Sequence, residues 1–132
     1  MHKYFITLIV LTLIAVGFVV VLIINTQIIE NEIKEFNSQF EIFNKRKLTG
    51  ADISSVINKA INNNKKEGNT YLVDINIRIR DYGEDITVNM EKIYSLGIEN
   101  FMIYYGDYEF ECTGIEYDTD TKRVNMLNFK NI

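Results

Sequence analysis

Proline is absent from this 132-residue chain, histidine and cysteine occur once each, and there are seven glycines. Each scarcity closes a class of chemistry. With His2 as the only imidazole, at the head of an apolar run, neither a histidine-assisted nucleophile nor a histidine metal site can be assembled. Cys112 has no second cysteine for an intrachain disulfide or a thiolate metal site, and it lies far from where a lipoprotein attachment cysteine would follow a signal. It reads as a small core residue. Gly50 and Gly68 are isolated, so no glycine-rich phosphate loop is present. Fourteen basic residues against eighteen acidic ones give a net charge of -4 without a basic stripe, which argues against nucleic acid as a partner. The richness in Ile, Asn and Lys, with no Pro, reads as codon composition.

What is present begins with an apolar run, Tyr4 to Ile24, that contains no ionisable side chain apart from the Tyr4 phenol. At about 1.5 Å per helical residue it spans roughly 31 Å, the thickness of a bilayer's hydrocarbon core. A cleaved signal peptide is the alternative. Its positive start is here in His2 and Lys3, but the run exceeds the usual roughly 7 to 15 apolar residues and no A-x-A-like site follows. The sequence thus predicts an uncleaved single-pass anchor. Lys3 before the span and Glu30, Glu32 and Glu35 after it favour a cytoplasmic N-terminus with the bulk of the chain outside, while Lys45, Arg46 and Lys47 argue the other way from the limit of the rule's reach.

Beyond the anchor, Ile29, Ile33, Phe36, Phe40 and Phe43 recur at spacings of four, three, four and three, with polar residues on the other faces. No Gly or Pro interrupts the junction, so one helix is predicted from about Tyr4 to Phe43, on the order of 60 Å long. The five residues form a candidate interaction seam. Three occupants are open: the chain's own sheet, a partner helix, or a membrane surface, the last disfavoured by few Lys and Arg on the polar face.

A second helix follows. Thr49 is placed as its N-cap and Asp52 completes a capping-box pattern, then Ile53, Val56, Ile57, Ala60 and Ile61 supply a core face, with a stop near Asn62 to Asn64. From Tyr71 the period becomes two, through Val73, Ile75, Ile77 and Ile79. Tyr82 to Asp85 is a turn, after which Ile86, Val88 and Met90 resume the alternation; Glu91 to Gly97 is either strand end or a short helical turn. Phe101 to Tyr105 and Tyr108 to Tyr117 flank Gly106-Asp107 and are predicted to pair as a hairpin. A bulge at Thr113-Gly114 would bring Ile115 and Tyr117 onto the face of Phe110 and Cys112. After a polar turn, Asp118 to Lys122, Arg123 to Phe129 is the last strand. The predicted fold class is α+β: a long N-terminal transmembrane and amphipathic helix, a short second helix and a four- to five-stranded antiparallel sheet. The predicted divisions are an anchor (1–24), a helical stem (25–47) and a small domain (48–132).

Candidate chemistry is sparse. Asp118 and Asp120 lack the further ligands of a calcium loop and read as turn residues. Glu109 and Glu111 alternate on one face and could resemble a carboxylate dyad, but pairing across strands with Arg78, Arg80 or Lys122 accounts for them. Tyr104, Tyr105 and Tyr108 form either a contact patch or ordinary sheet packing. No cofactor and no small-molecule substrate is indicated.

The layout of polar start, apolar half-helix, amphipathic half-helix and small sheet resembles the type IV pilins and pseudopilins. Phe36-Asn37-Ser38-Gln39-Phe40-Glu41, Leu48-Thr49-Gly50 and Ile53 to Asn64 are also similar to small membrane-anchored proteins of low-GC Gram-positive bacteria. Two pilin features are missing: a glycine before the apolar segment and a glutamate near its start. The resemblance implies a pilin-like fold and a non-enzymatic component of an envelope assembly, of pilus or type II secretion kind, whose partners are the bilayer and other pilin-like or envelope proteins. A membrane-tethered extracytoplasmic binding module is the alternative.

Overall fold

The computed structural model describes residues 2–132; Met1, counted with the anchor above, lies outside them. Contacts divide the chain into two compact units, one ending at Glu35 and the other running from Phe36 to Ile132. Both share helix α1, His2–Glu41, 40 residues long. Within the apolar part the hydroxyls of Thr7, Thr12 and Thr26 donate to carbonyls one turn back, at 2.8, 2.8 and 2.9 Å. These polar side chains therefore need no external partner in an apolar medium. The helix is long and apolar enough to cross a membrane, a test of length and composition that a signal sequence also passes.

The second unit is an α+β domain built on one five-stranded sheet. In chain order it comprises β1 (Lys47–Thr49), α2 (Gly50–Lys66), β2 (Asp74–Asp81), β3 (Glu84–Asn89), α3 (Met90–Leu96), α4 (Ile98–Tyr105), β4 (Glu109–Tyr117) and β5 (Val124–Asn131). The spatial order is β1-β4-β5-β2-β3. Three of the four pairings are antiparallel, but β2 and β5 run parallel, with Ile75 beside Leu127 and Ile77 beside Phe129. The sheet is mixed, which corrects the antiparallel meander expected from sequence. A meander assumes that consecutive strands are neighbours, whereas β5 folds back from β4 and inserts beside β2.

One face of the sheet is the core. Ile75, Ile77, Ile79, Val88, Phe110, Cys112, Leu127 and Phe129 point into it, against Ile53, Val56, Ile57 and Ala60 of α2, Ile93 of α3, Phe101 of α4, and Phe36 and Phe40 at the end of α1. The other face carries Asn76, Arg78, Arg80, Asn128 and Lys130. This is the alternation of a sheet wetted on one side. At the α1 end, Asn37 donates from Nδ2 to the Lys122 carbonyl (3.0 Å) and accepts from the Val124 amide (2.8 Å), so the chain enters the domain beside the start of β5.

Local chemistry explains where elements begin and end. Thr49 caps α2: its hydroxyl accepts from the Asp52 amide at 3.2 Å while the Asp52 carboxylate accepts from the Thr49 amide at 2.9 Å. The helix runs to Lys66, past the expected stop at Asn62 to Asn64, because Asn64 serves as a buried staple. Its side chain bonds the Thr70 and Val73 carbonyls at 2.9 and 3.0 Å and accepts from the Val73 amide at 2.7 Å. That staple takes Val73 out of the sheet, so β2 starts at Asp74 and Tyr71, expected in the strand, is in a loop. Met90, expected in a strand, opens α3, since Asn89 caps that helix and Asp74 Oδ1 accepts the Met90 amide at 3.0 Å. The short helical alternative for Glu91 to Gly97 is the one adopted, with Gly97 at φ 85°.

The largest local correction is Phe101 to Tyr105, expected as a strand and found in α4. Gly106 is not a hairpin residue; at φ -64° it continues the helical conformation and ends α4, its amide donating to the Met102 carbonyl at 2.8 Å. The expected bulge is present, as the register of β4 on β5 shifts between Cys112 and Gly114. Ile115 thereby joins the core, but a second shift at Glu116 and Tyr117 leaves Tyr117 exposed. α1 stops at Glu41 rather than Phe43, and the missed strand β1 follows from Lys45, which turns the chain at φ 61°.

Candidate functional site

The end of the sheet far from Asn37 gathers tyrosines. β5 runs away from Val124 for 8 residues, roughly 25 Å at strand rise, and ends at Asn131, whose side chain bonds the backbone of Arg80. Around that end lie the β2–β3 turn, the end of α4 and the start of β4. Tyr82 and Gly83 form the two-residue turn, with Asp81 opposite Glu84, and both hold positive φ, 49° and 82°. That is the backbone of a type I′ hairpin turn, where Asn-Gly is preferred and a bulky residue is costly. Tyr82 is fully exposed there, at 101% of its reference area.

From α4, Tyr104 and Tyr105 meet at a tilt, 6.1 Å between ring centroids; Tyr105 and Tyr108 follow at 6.3 Å, and Tyr108 meets the buried ring of Phe110 at 6.4 Å. Tyr105 also rests on Phe101 at 5.3 Å. The result is an aromatic chain from solvent to core. Its outer members are Tyr104 at 64% and its neighbour Ile103 at 76% exposure. Tyr108 donates its hydroxyl to Asp81, which ties the start of β4 to the Tyr82 turn. That hydrogen bond to a carboxylate holds the Tyr108 phenol above its ordinary pKa of 10.0, with desolvation adding to it. Asp81, Glu84, Asp107 and Glu109 lie close to these tyrosines along the chain, and Arg78, Arg80 and Lys130 line a pocket with Asp85 and Asn131 at the same end of the sheet, with Arg80 3.7 Å from Asp85.

The sequence placed Tyr104, Tyr105 and Tyr108 together, but at a hairpin tip; the structure brings them together at a helix end. It adds Tyr82, read from sequence only as a turn residue. An aromatic residue before Gly in a two-residue turn was the available signal.

The five seam residues do not share one environment. Phe36 and Phe40 are buried in the domain, ring to ring at 5.6 Å, and Phe43 packs partly on the core with the Lys59 ammonium 5.0 Å above its ring. Ile33 is half-buried and Ile29 is 56% exposed. Glu111 pairs with Lys130 at 3.8 Å, not with the expected Arg78, Arg80 or Lys122, because β5 rather than β2 borders β4. Asp118 accepts from the amides of Asp120 and Thr121 at 2.9 and 2.8 Å, a turn role that lowers its carboxyl pKa. Cys112 is buried, and burial pushes its thiol up, away from the reactive thiolate. Among the described residues no three His, Cys, Asp or Glu side chains converge as metal ligands would.

No family model, no curated protein and no solved structure matches this chain.

Proposed function

We propose that this chain is a membrane-tethered, non-enzymatic contact module. In this reading α1 crosses the bilayer with the N-terminus in the cytoplasm, and the α+β domain, outside, docks another protein through its tyrosine end. The observation that carries it is Tyr82, a fully exposed ring held at φ 49° where Asn would be favoured. Aromatic residues kept exposed at a conformational cost are explained by a contact they make. Phe36 and Phe40 support the same reading, since the domain fills that part of the seam itself and needs no partner to close its core. The test is a photo-cross-linking residue at Tyr104 of the full chain in native membranes, with Thr119 in the opposite turn as control. A discrete adduct at Tyr104 alone is expected; equal labelling at both positions, or none, overturns the docking role.

A pilin-like or pseudopilin-like component of an envelope assembly is the second reading, favoured by the unbroken α1 with Ile29 exposed on its seam. Ile29→Cys should then give a disulfide-linked self-dimer on oxidation in membranes. A protein that stays monomeric under those conditions sets this reading aside.

A further inference from the structure

We propose that the polar face of the sheet binds a phosphate group through Arg78, Arg80 and Lys130; the proposal does not rest on a docking role for the tyrosines. Arg78 of β2 lies beside Lys130 of β5 in the parallel register and faces Thr87 of β3 on its other side. No carboxylate stands directly across from it. Like charges side by side on paired strands repel, a cost that an anion shared between them removes. Among the described residues no hydrogen bond or ion pair holds the Arg78 guanidinium. Its planar fork is suited to two oxygens of one phosphate.

The same cations line two adjoining depressions. One, of 340 Å³, is bounded by Arg78, Arg80, Asp85, Lys130 and Asn131; the other, of 420 Å³, shares Arg78 and Lys130 and continues past Asn76, Thr113 and Asn128. The first sets three cations against one carboxylate and the second sets two against none. Glu111, 3.8 Å from Lys130, takes one charge from each, and both stay positive on a chain of net charge -4. The cations that have partners hold them loosely, since Arg80 is 79% exposed and 3.7 Å from Asp85, and Lys130 is 55% exposed. Such pairs contribute little and yield to a more highly charged anion. The frame beneath is fixed: Asn131 bonds both the amide and the carbonyl of Arg80 at 2.8 Å, which pins the ends of β2 and β5 together. A long polyanion fits less well than one compact phosphate, because Asp85, Glu111 and Glu116 border the positive centre.

The experiment uses the full chain in uncharged maltoside micelles and phosphate-free buffer, at a constant ionic strength of about 0.15 M. The Nε–Hε resonances of the four arginines report binding, with Arg46 and Arg123 as internal controls. One arm titrates glycerol phosphate, a second dopes phosphatidic acid into the micelles, and acetate serves as the singly charged comparison. Saturable shifts of Arg78 and Arg80 with glycerol phosphate are expected. Saturation by phosphatidic acid alone upholds the phosphate site and assigns its source to a lipid headgroup. Arg78→Gln, read at Arg80, should weaken binding by about tenfold or more, the scale of one charged hydrogen-bonding partner. Lys92→Gln removes a charge from α3 and should leave the affinity unchanged. Glu111→Gln frees Lys130 and should tighten binding by about two- to fivefold, a gain that general damage to the fold does not produce. Acetate binding as tightly as glycerol phosphate, equal shifts at Arg46 and Arg123, or no saturation in either arm overturns the proposal. So does unchanged affinity in Arg78→Gln, or unchanged or weaker affinity in Glu111→Gln.

Discussion

Asn37 joins helix to sheet with a single side chain. Its two hydrogen bonds satisfy the Lys122 carbonyl and the Val124 amide, and it is 8% exposed. Asn37→Ala leaves that amide buried and unpaired, which should cost about 1 to 3 kcal/mol in thermal unfolding of the domain. Asn37→Asp keeps the acceptor and should cost less than Ala. Tyr108 gives a pH-dependent counterpart. Its pKa is raised by the bond to Asp81, so the contribution of that bond is present below pH 10.0 and is lost as pH rises through the higher folded value. In Asp81→Asn, the tyrosinate absorbance of Tyr108 should develop at lower pH than in the parent. No change in its titration would mean that the bond does not hold the phenol.

Helix α4 shows what the elements conceal from the sequence. Ile98-Glu99-Asn100-Phe101-Met102-Ile103-Tyr104-Tyr105 is rich in residues that favour strands, and a run this short does not declare its period. The packing does: Ile98, Phe101, Met102 and Tyr105 face the core at spacings of three, one and three, while Ile103 and Tyr104 face solvent. By contrast the start and the core face of α2 were legible, because its capping box and its i, i+3, i+4 face agree, while its end was placed short of Lys66. The two helices meet at glycines. A Cβ on Gly50 would lie 2.1 Å from the Gly106 carbonyl oxygen, a backbone atom that cannot move aside alone. Gly50→Ala should therefore destabilise the domain by about 1 to 3 kcal/mol or more, although alanine is the better helix former, when measured by denaturant unfolding. A neutral or stabilising result would mean that α2 and α4 do not approach this closely.

At the scale of the molecule, the long apolar helix and the stripe were readable because both are carried by local period and composition. The parallel pairing of β2 with β5 was not, since nothing within either strand encodes which neighbour it takes. Nor could the seam reveal that its occupancy changes along the helix, with Ile29 exposed and Phe40 fully buried. The tyrosine patch was half visible, as three of its rings are close in sequence and Tyr82 reaches them only through Asp81. Phe40 tests whether the domain depends on the helix end. Phe40→Ala should cost about 3 to 5 kcal/mol, a large share of a small domain's stability. On the proposed membrane-tethered reading, mild proteolysis of membranes should then digest the domain while the apolar part of α1 persists; undiminished resistance would show that the socket is dispensable.

The strand β1 begins only six residues after α1 ends and is locked to the edge of β4, with Lys47 beside Glu111 and Thr49 beside Glu109. Lys45 and Arg46 already bond the backbone of Cys112, so no slack chain separates the helix from the sheet. A pull on the domain would therefore load the Phe40 socket, the Asn37 bonds and the β1–β4 ladder together instead of being absorbed by a flexible leash. On the proposed reading, in which α1 is the membrane tether, these contacts are what would bear tension.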